Sequence, residues 1–334
     1  MKGDDEFMHA QFIRRLLSFV GLLLLAHNLS AAVGLSDEPS QTPRADFTIR
    51  RAAGNSEIVI TTTSRLAGAV HSLTWNGQEF INSADHGRQL QSASSFSSDG
   101  KHWAEAFNPT EAGSRDDGAG PNSTSRLLHS VATEAALQTT TQMAFWLSPG
   151  QKSEGHPAIN TTKLSNHLLM KRVQIGLPDL PHVIRYDVTF TVPLNERHTF
   201  AQFEALTGYM PEEFRSFWTF RPQTGELQPI DFGPGEQSFP LVLSTESGSH
   251  AMGIYSPQQP SVGFENVGYG RWRFEPERVM KWNTVFRQRH ADGIEPGEYS
   301  FRNFVVVGDR ETVRASLVEL HRQFPPQRRL QDQP

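Results

Sequence analysis

The stretch His182-Val183-Ile184-Arg185-Tyr186-Asp187-Val188-Thr189-Phe190-Thr191-Val192 sets the reading of the whole chain. Ile184, Tyr186, Val188, Phe190 and Val192 fall on one face of an extended backbone; Arg185, Asp187, Thr189 and Thr191 fall on the other. Successive side chains of a strand point to opposite faces, so this period of two predicts a strand with one face in a core and one in water. Working outward, comparable segments recur at 58–63, 68–75, 78–81, 88–96, 135–147, 164–176, 199–207, 240–245, 250–256, 271–276, 279–289 and 298–307. Asn76-Gly77 marks a two-residue hairpin turn between two of them. Long Gly-, Ser- and Pro-rich stretches at 97–125 and 148–163 read as loops. One helix is predicted, capped by Asp309, with Val313, Leu317, Leu320 and Phe324 on its apolar face and Pro325-Pro326 as its stop. So many strands, with no fixed repeat and no linker, predict an all-β fold: a large antiparallel sandwich with a C-terminal helix.

The 334 residues are 37% hydrophobic and 20% charged, enough apolar content for a sizeable core and too much for disorder. A formal net charge of −5 argues against nucleic acid as a partner. With no cysteine, thiol nucleophiles, thiolate metal sites and disulfides are all excluded. Arg14-Arg15, the apolar run Leu16–Ala26 and the small residues Ser30-Ala31-Ala32 read as a signal peptide over 1–32, with Met1 or Met8 as the start. A flexible mature N-terminus over 33–46, a single sandwich domain with its helix over 47–325 and a tail over 326–334 follow. The expected location is the bacterial periplasm or the medium, with no membrane span after cleavage.

Gly68-Ala69-Val70-His71-Ser72-Leu73-Thr74-Trp75-Asn76-Gly77-Gln78-Glu79-Phe80-Ile81 resembles the opening hairpin of galactose-mutarotase-like proteins, and Gly87-Arg88 stands where that superfamily has a glycine-arginine turn. The resemblance implies a β-supersandwich and a carbohydrate ligand, since members include sugar epimerases and domains of polysaccharide lyases and glycoside hydrolases. Mutarotases use a mid-chain His-Pro pair and a late glutamate as acid and base. Here His156-Pro157 lies in a Gly/Ser-rich loop and no late glutamate matches, so those roles are not carried over.

The candidate site residues come from strand phase and turn chemistry. Glu204 interrupts an apolar strand, in phase with Gln202 and Leu206; a carboxylate in such a setting has a raised pKa and serves as acid or base. Tyr209 follows at the strand end, and Glu111, in a loop, is the expected second carboxylate for Glu204. His167 and Lys171 share one face of 164–176, a proton carrier and a cation for developing charge; an ordinary solvated face fits them as well. His86, Arg88 and Gln91 surround a glycine turn, where a guanidinium and an amide can hold hydroxyls or a carboxylate. Asn108, His250, Trp282 and Arg287 complete the expected substrate contacts. A metal triad of His86, His167 and His250 lacks any close HxH or HExxH spacing, so neither metal nor cofactor is expected.

Together these point to an exported carbohydrate-active enzyme, a polysaccharide lyase or glycoside hydrolase, acting on an oligo- or polysaccharide by acid/base chemistry. A non-catalytic glycan-binding or periplasmic assembly protein and a sugar 1-epimerase are the alternatives. The oligomeric state stays open.

Overall fold

The computed structural model describes residues 43–98, 101–259 and 265–326. The expected signal peptide, most of the expected mature N-terminus and nearly all of the expected tail lie outside them. In chain order the strands begin with β1 (Thr48–Ala53), β2 (Ser56–Thr62), β3 (Val70–Trp75), β4 (Gln78–Glu79), β5 (Leu90–Ser97), β6 (Pro109–Thr110) and β7 (Arg126–Ala132). There follow β8 (Ala136–Phe145), β9 (Lys152–Ser153), β10 (His156–Pro157), β11 (Leu164–Leu177), β12 (Leu180–Val192), β13 (Phe200–Pro211) and β14 (Ser216–Arg221). The last are β15 (Glu226–Pro229), β16 (Gly235–Gln237), β17 (Leu241–Ser244), β18 (Ala251–Tyr255), β19 (Glu265–Phe274), β20 (Val279–Arg289) and β21 (Gly297–Gly308), closed by helix α1 (Arg310–Gln323).

Every strand pairing among the described residues is antiparallel, as an all-β sandwich requires. Pairings run β7-β8-β11-β12-β21-β18-β17-β14-β15 through one layer. They run β1-β2-β3-β5-β13-β20-β19-β16 through the other, and β6 bridges β5 to β8. The β12 alternation behaves as read: Ile184, Tyr186, Val188, Phe190 and Val192 are buried, and the intervening residues are half-exposed. With Ile58, Leu73, Phe96, Phe203 and Phe286 they form one core between the layers. A second core lies beneath the helix, where Val313, Leu317 and Leu320 pack on Val183, Val242, Phe304 and Val306. Asp309 caps α1 by accepting from Thr312 N at 2.7 Å. No helix among the described residues is long and apolar enough to cross a membrane.

The stretches read as loops carry more order than expected. Residues 148–163 hold the β9–β10 hairpin, with His156-Pro157 on its second strand, and 97–125 hold β6. Trp103 stacks on His156 with ring centroids 4.2 Å apart and planes 11° apart, which ties the 101–107 segment to that hairpin.

Candidate active site

A bulge in β13 builds the site. Glu204 pairs with Val285 and Leu206 with Thr284 on β20, so Ala205 is an extra residue on its strand. On the other side Glu204 opposes Ala93 and Thr207 opposes Gln91. An extra residue breaks the alternation, so phase changes across it. Leu206, expected beside Glu204, points into the core with no exposed surface. Thr207 and Tyr209 instead join Glu204 on the opposite side, and the Thr207 hydroxyl donates to Glu204 Oε2 at 2.7 Å. Ser92 Oγ secures the bulge from the core side, donating to the Ala205 carbonyl at 2.9 Å.

The resulting cleft, about 190 Å³, is lined by Glu204, Thr207, Tyr209, Lys281, Gln91 and Trp146 among others. Asn108, Glu105 and Ala104 close it from the segment leading to β6. Lys281 Nζ stands 3.4 Å from Glu204 Oε2, 5.3 Å from the Tyr209 ring centroid and 5.0 Å from that of Trp272. Burial pushes the Glu204 carboxyl up, but the Lys281 ammonium and bonds from Thr207, Asn283 and Lys281 outweigh it, and the net direction is downward. The raised pKa expected of an isolated carboxylate is therefore reversed by a cation that phase alone did not place. Burial works against the charge of Lys281, yet Glu204 and Tyr209 hold its pKa above the ordinary lysine range. Tyr209 is raised, chiefly by burial, so its phenol keeps its proton. The site thus presents a carboxylate, an ammonium and a neutral hydroxyl side by side. Trp146 forms a wall over Gly87, where a Cβ would come within 2.8 Å of the indole.

Of the residues expected to act, the cleft gathers Glu204, Tyr209, Gln91 and Asn108. The others lie elsewhere. Glu111 and Lys171 face the core, fully buried and paired with each other, so Glu111 does not meet Glu204 and the carboxylate sharing its cleft is Glu105. His167 is buried against Glu196 Oε2 at 2.8 Å. Both nitrogens of His86 face backbone carbonyls, Gly118 O and Arg65 O, at 2.7 Å each. Arg88 pairs with Asp85 at 2.8 Å. Arg287 is held by Gln202 and by both oxygens of Glu236. Trp282 is a core residue pressed on Gly208, where a Cβ would lie 2.3 Å from its ring. His250 packs edge-on against Trp75 beside a separate shallow depression with Glu212 and Glu213. His86, His167 and His250 therefore do not converge.

Three features escaped the sequence reading. Lys281 lies within the expected strand 279–289 with nothing in its pattern to single it out, Trp146 follows directly on β8, and Glu105 sits in the 97–125 stretch that reads as loop. A larger hollow beside the start of α1 is lined by Trp218, Glu226, Arg310 and Arg314. Its charges are surface pairs such as Arg314–Glu311, and it lacks a buried acid or base.

No protein-family model matches the chain, and no curated protein matches it. Among solved structures it is similar to the Slr1438 protein of Synechocystis sp. PCC 6803, at 12% identity and a TM-score of 0.39, over 81% of this chain and 98% of that one. A Klebsiella pneumoniae protein named as a candidate aldose 1-epimerase is similar at 9% identity and a TM-score of 0.41, over 85% and 93% of the two chains. The α-galactosidase of Lactobacillus brevis is similar at 10% identity and a TM-score of 0.43; the match covers 84% of this chain and 42% of the galactosidase.

Proposed function

We propose that this chain is an exported enzyme that cleaves an acidic polysaccharide by β-elimination, with its chemistry at Glu204, Tyr209 and Lys281. The observation that carries the reading is the contact of these three groups in one cleft, beside hydroxyl, amide and indole side chains suited to a sugar ring. Lys281 is the cation that a uronate carboxylate would seek. When that carboxylate draws on the ammonium, Glu204 loses the charge that depresses it while its burial persists. Its pKa then climbs toward the range in which a carboxylate is an effective base. Glu204 takes the proton α to the uronate carboxyl, the bond to the leaving glycosidic oxygen breaks, and the Tyr209 hydroxyl supplies the proton that oxygen needs. Lys281 offsets the charge that builds on the substrate carboxylate.

The test is mass spectrometry of products after incubation with neutral and uronate-containing polysaccharides. Unsaturated fragments from the uronate substrates support elimination. Fragments that have gained water would replace it with hydrolysis and bring Glu105 forward as the second carboxylate. An unchanged panel with folded protein would reject elimination and hydrolysis alike and leave glycan binding or epimerisation.

A further inference from the structure

We propose that His167, Glu196 and His198 form a binding site for a divalent transition-metal ion of the zinc type, which clips the link between β12 and β13 onto β11. Nε2 of His167 and Nε2 of His198 each lie 2.8 Å from the same oxygen, Glu196 Oε2. The three ligand atoms all fall within 4.8 Å of one another. His167 sits on β11, and Glu196 and His198 sit two residues apart in the link, so the chain brings them together from two directions. Both imidazoles are buried, and Phe96 covers them with ring centroids at 4.8 and 4.7 Å. Glu196 keeps 19% of its side-chain surface, which leaves an approach for an ion.

Hydrogen bonding alone satisfies this arrangement only if both Nε2 atoms carry hydrogen. For His198 the surroundings point the other way. Ser98 Oγ donates to Arg197 O at 2.7 Å, so toward His198 Nδ1, 3.5 Å away, it has only a lone pair to offer. That favours hydrogen on Nδ1, and in the neutral imidazole it turns the Nε2 lone pair toward a carboxylate oxygen. Two lone pairs facing each other need a cation between them, which a proton supplies for one imidazole and which a metal ion supplies for both at once, because the two Nε2 atoms share one carboxylate oxygen. A metal-bound histidine commonly donates its other ring N–H to a neighbouring oxygen, the place Ser98 Oγ holds beside His198 Nδ1. Two imidazoles and a carboxylate suit a borderline ion such as Zn²⁺ and not Ca²⁺ or Mg²⁺, which take oxygen ligands. Ser95, next to Phe96 on β5, lines the Glu204 cleft, whereas Phe96 packs on the histidines, so the cluster lies behind that cleft. Its expected role is to hold the link in place and not to touch substrate.

The full chain, loaded with Zn²⁺ and dialysed, is expected to retain one equivalent, and Co²⁺ in its place is expected to give the visible absorption of a tetrahedral site. His198→Ala and Glu196→Ala should each weaken retention more than about 100-fold, beyond the loss from an outer partner. His129→Ala, at an exposed histidine, should leave it unchanged. Zn²⁺ should raise the melting temperature of the parent and of the His129 variant only. If the parent retains no zinc, or if the ligand variants retain as much as the parent, the site is overturned. Should the ligand variants not fold, the parent's Co²⁺ spectrum and its zinc-dependent melting temperature decide alone.

Discussion

Lys171 Nζ and Glu111 Oε1 are in direct contact inside the sandwich, each side chain with no exposed surface. Lys171 also donates to Gly68 O at 3.0 Å, and Ser92 N donates to Glu111 Oε2 at 3.1 Å, so the pair is supported on both sides. Removing one member of a buried ion pair leaves an uncompensated charge. Lys171→Met or Glu111→Leu alone should therefore cost about 3–5 kcal/mol, while the double variant should cost clearly less than the sum. Urea unfolding of the four proteins checks this. Additive losses would mean that the two charges are not coupled.

Glu204 and Lys281 should separate substrate binding from turnover. Glu204→Gln keeps the shape of the cleft and removes the base, so turnover should fall by about 100-fold or more with glycan binding largely retained. Lys281→Met should weaken binding of uronate substrates more than neutral ones. It should also raise the Glu204 pKa, because the largest effect opposing burial is then removed and only the bonds from Thr207 and Asn283 remain; carboxyl-carbon NMR reads that shift directly. A Glu204 pKa that falls or stays put in the Lys281 variant would contradict the charge assignment.

The alternation in β12 and the apolar face of α1 were legible because each is a long, uninterrupted period whose buried side the structure keeps. Phase on β11 was legible too, since His167, Lys171, Val173 and Ile175 share a face, but that face is the core. A one-dimensional pattern cannot show that Glu111, 60 residues earlier, waits across from Lys171. The bulge at Ala205 was hidden for a related reason: nothing in Phe203-Glu204-Ala205-Leu206-Thr207 marks an added residue, and one added residue exchanges the faces of everything after it. Strand β7 was missed because it is amphipathic in the wrong sense, leaving Leu128 and Val131 about half exposed (47% and 50%). Strand β14 escapes the pattern because Phe217, Trp218 and Phe220 cover both of its faces and leave no alternation.

His102 gives a pH dependence whose sign follows from its surroundings. Burial, with Arg287 and Arg289 on β20 adding to it, lowers its pKa from 6.5 to about 4, and its ring packs on Phe200. The unfolded chain takes up a proton near 6.5, which the folded chain refuses until about 4. Stability should thus fall as pH drops through that window, with the loss complete below it. His71 and His321 are also lowered and act in the same sense. His102→Gln should flatten the decline relative to the parent in urea titrations at pH 7, 5.5 and 4. Parallel curves would show that His102 titrates as it does in water.

Gly208 tests whether Trp282 belongs to the core. An added Cβ would overlap the indole, and neither β13 nor β20 has slack there, so Gly208→Ala should cost about 1–3 kcal/mol through overpacking. The melting temperature reports it. An unchanged value would mean that the indole swings away freely, as a ring available to substrate would.

Thr207 shares the Glu204 face only because of the bulge, and its hydroxyl holds Oε2 at 2.7 Å. Thr207→Val keeps the branched shape and removes that donor. Losing a hydrogen bond to a charged group costs about 1.5–3 kcal/mol, so the carboxylate should become harder to keep ionised and the Glu204 pKa should rise. The fold should survive, because Ser92 Oγ still holds the Ala205 carbonyl from the other side. Turnover should drop by about tenfold through misplacement of the base, since orientation of a reacting group governs rate as strongly as its acidity does. If the Thr207 variant instead matches the parent in both turnover and Glu204 titration, Lys281 and Asn283 position the carboxylate without it and the bulge matters only for packing.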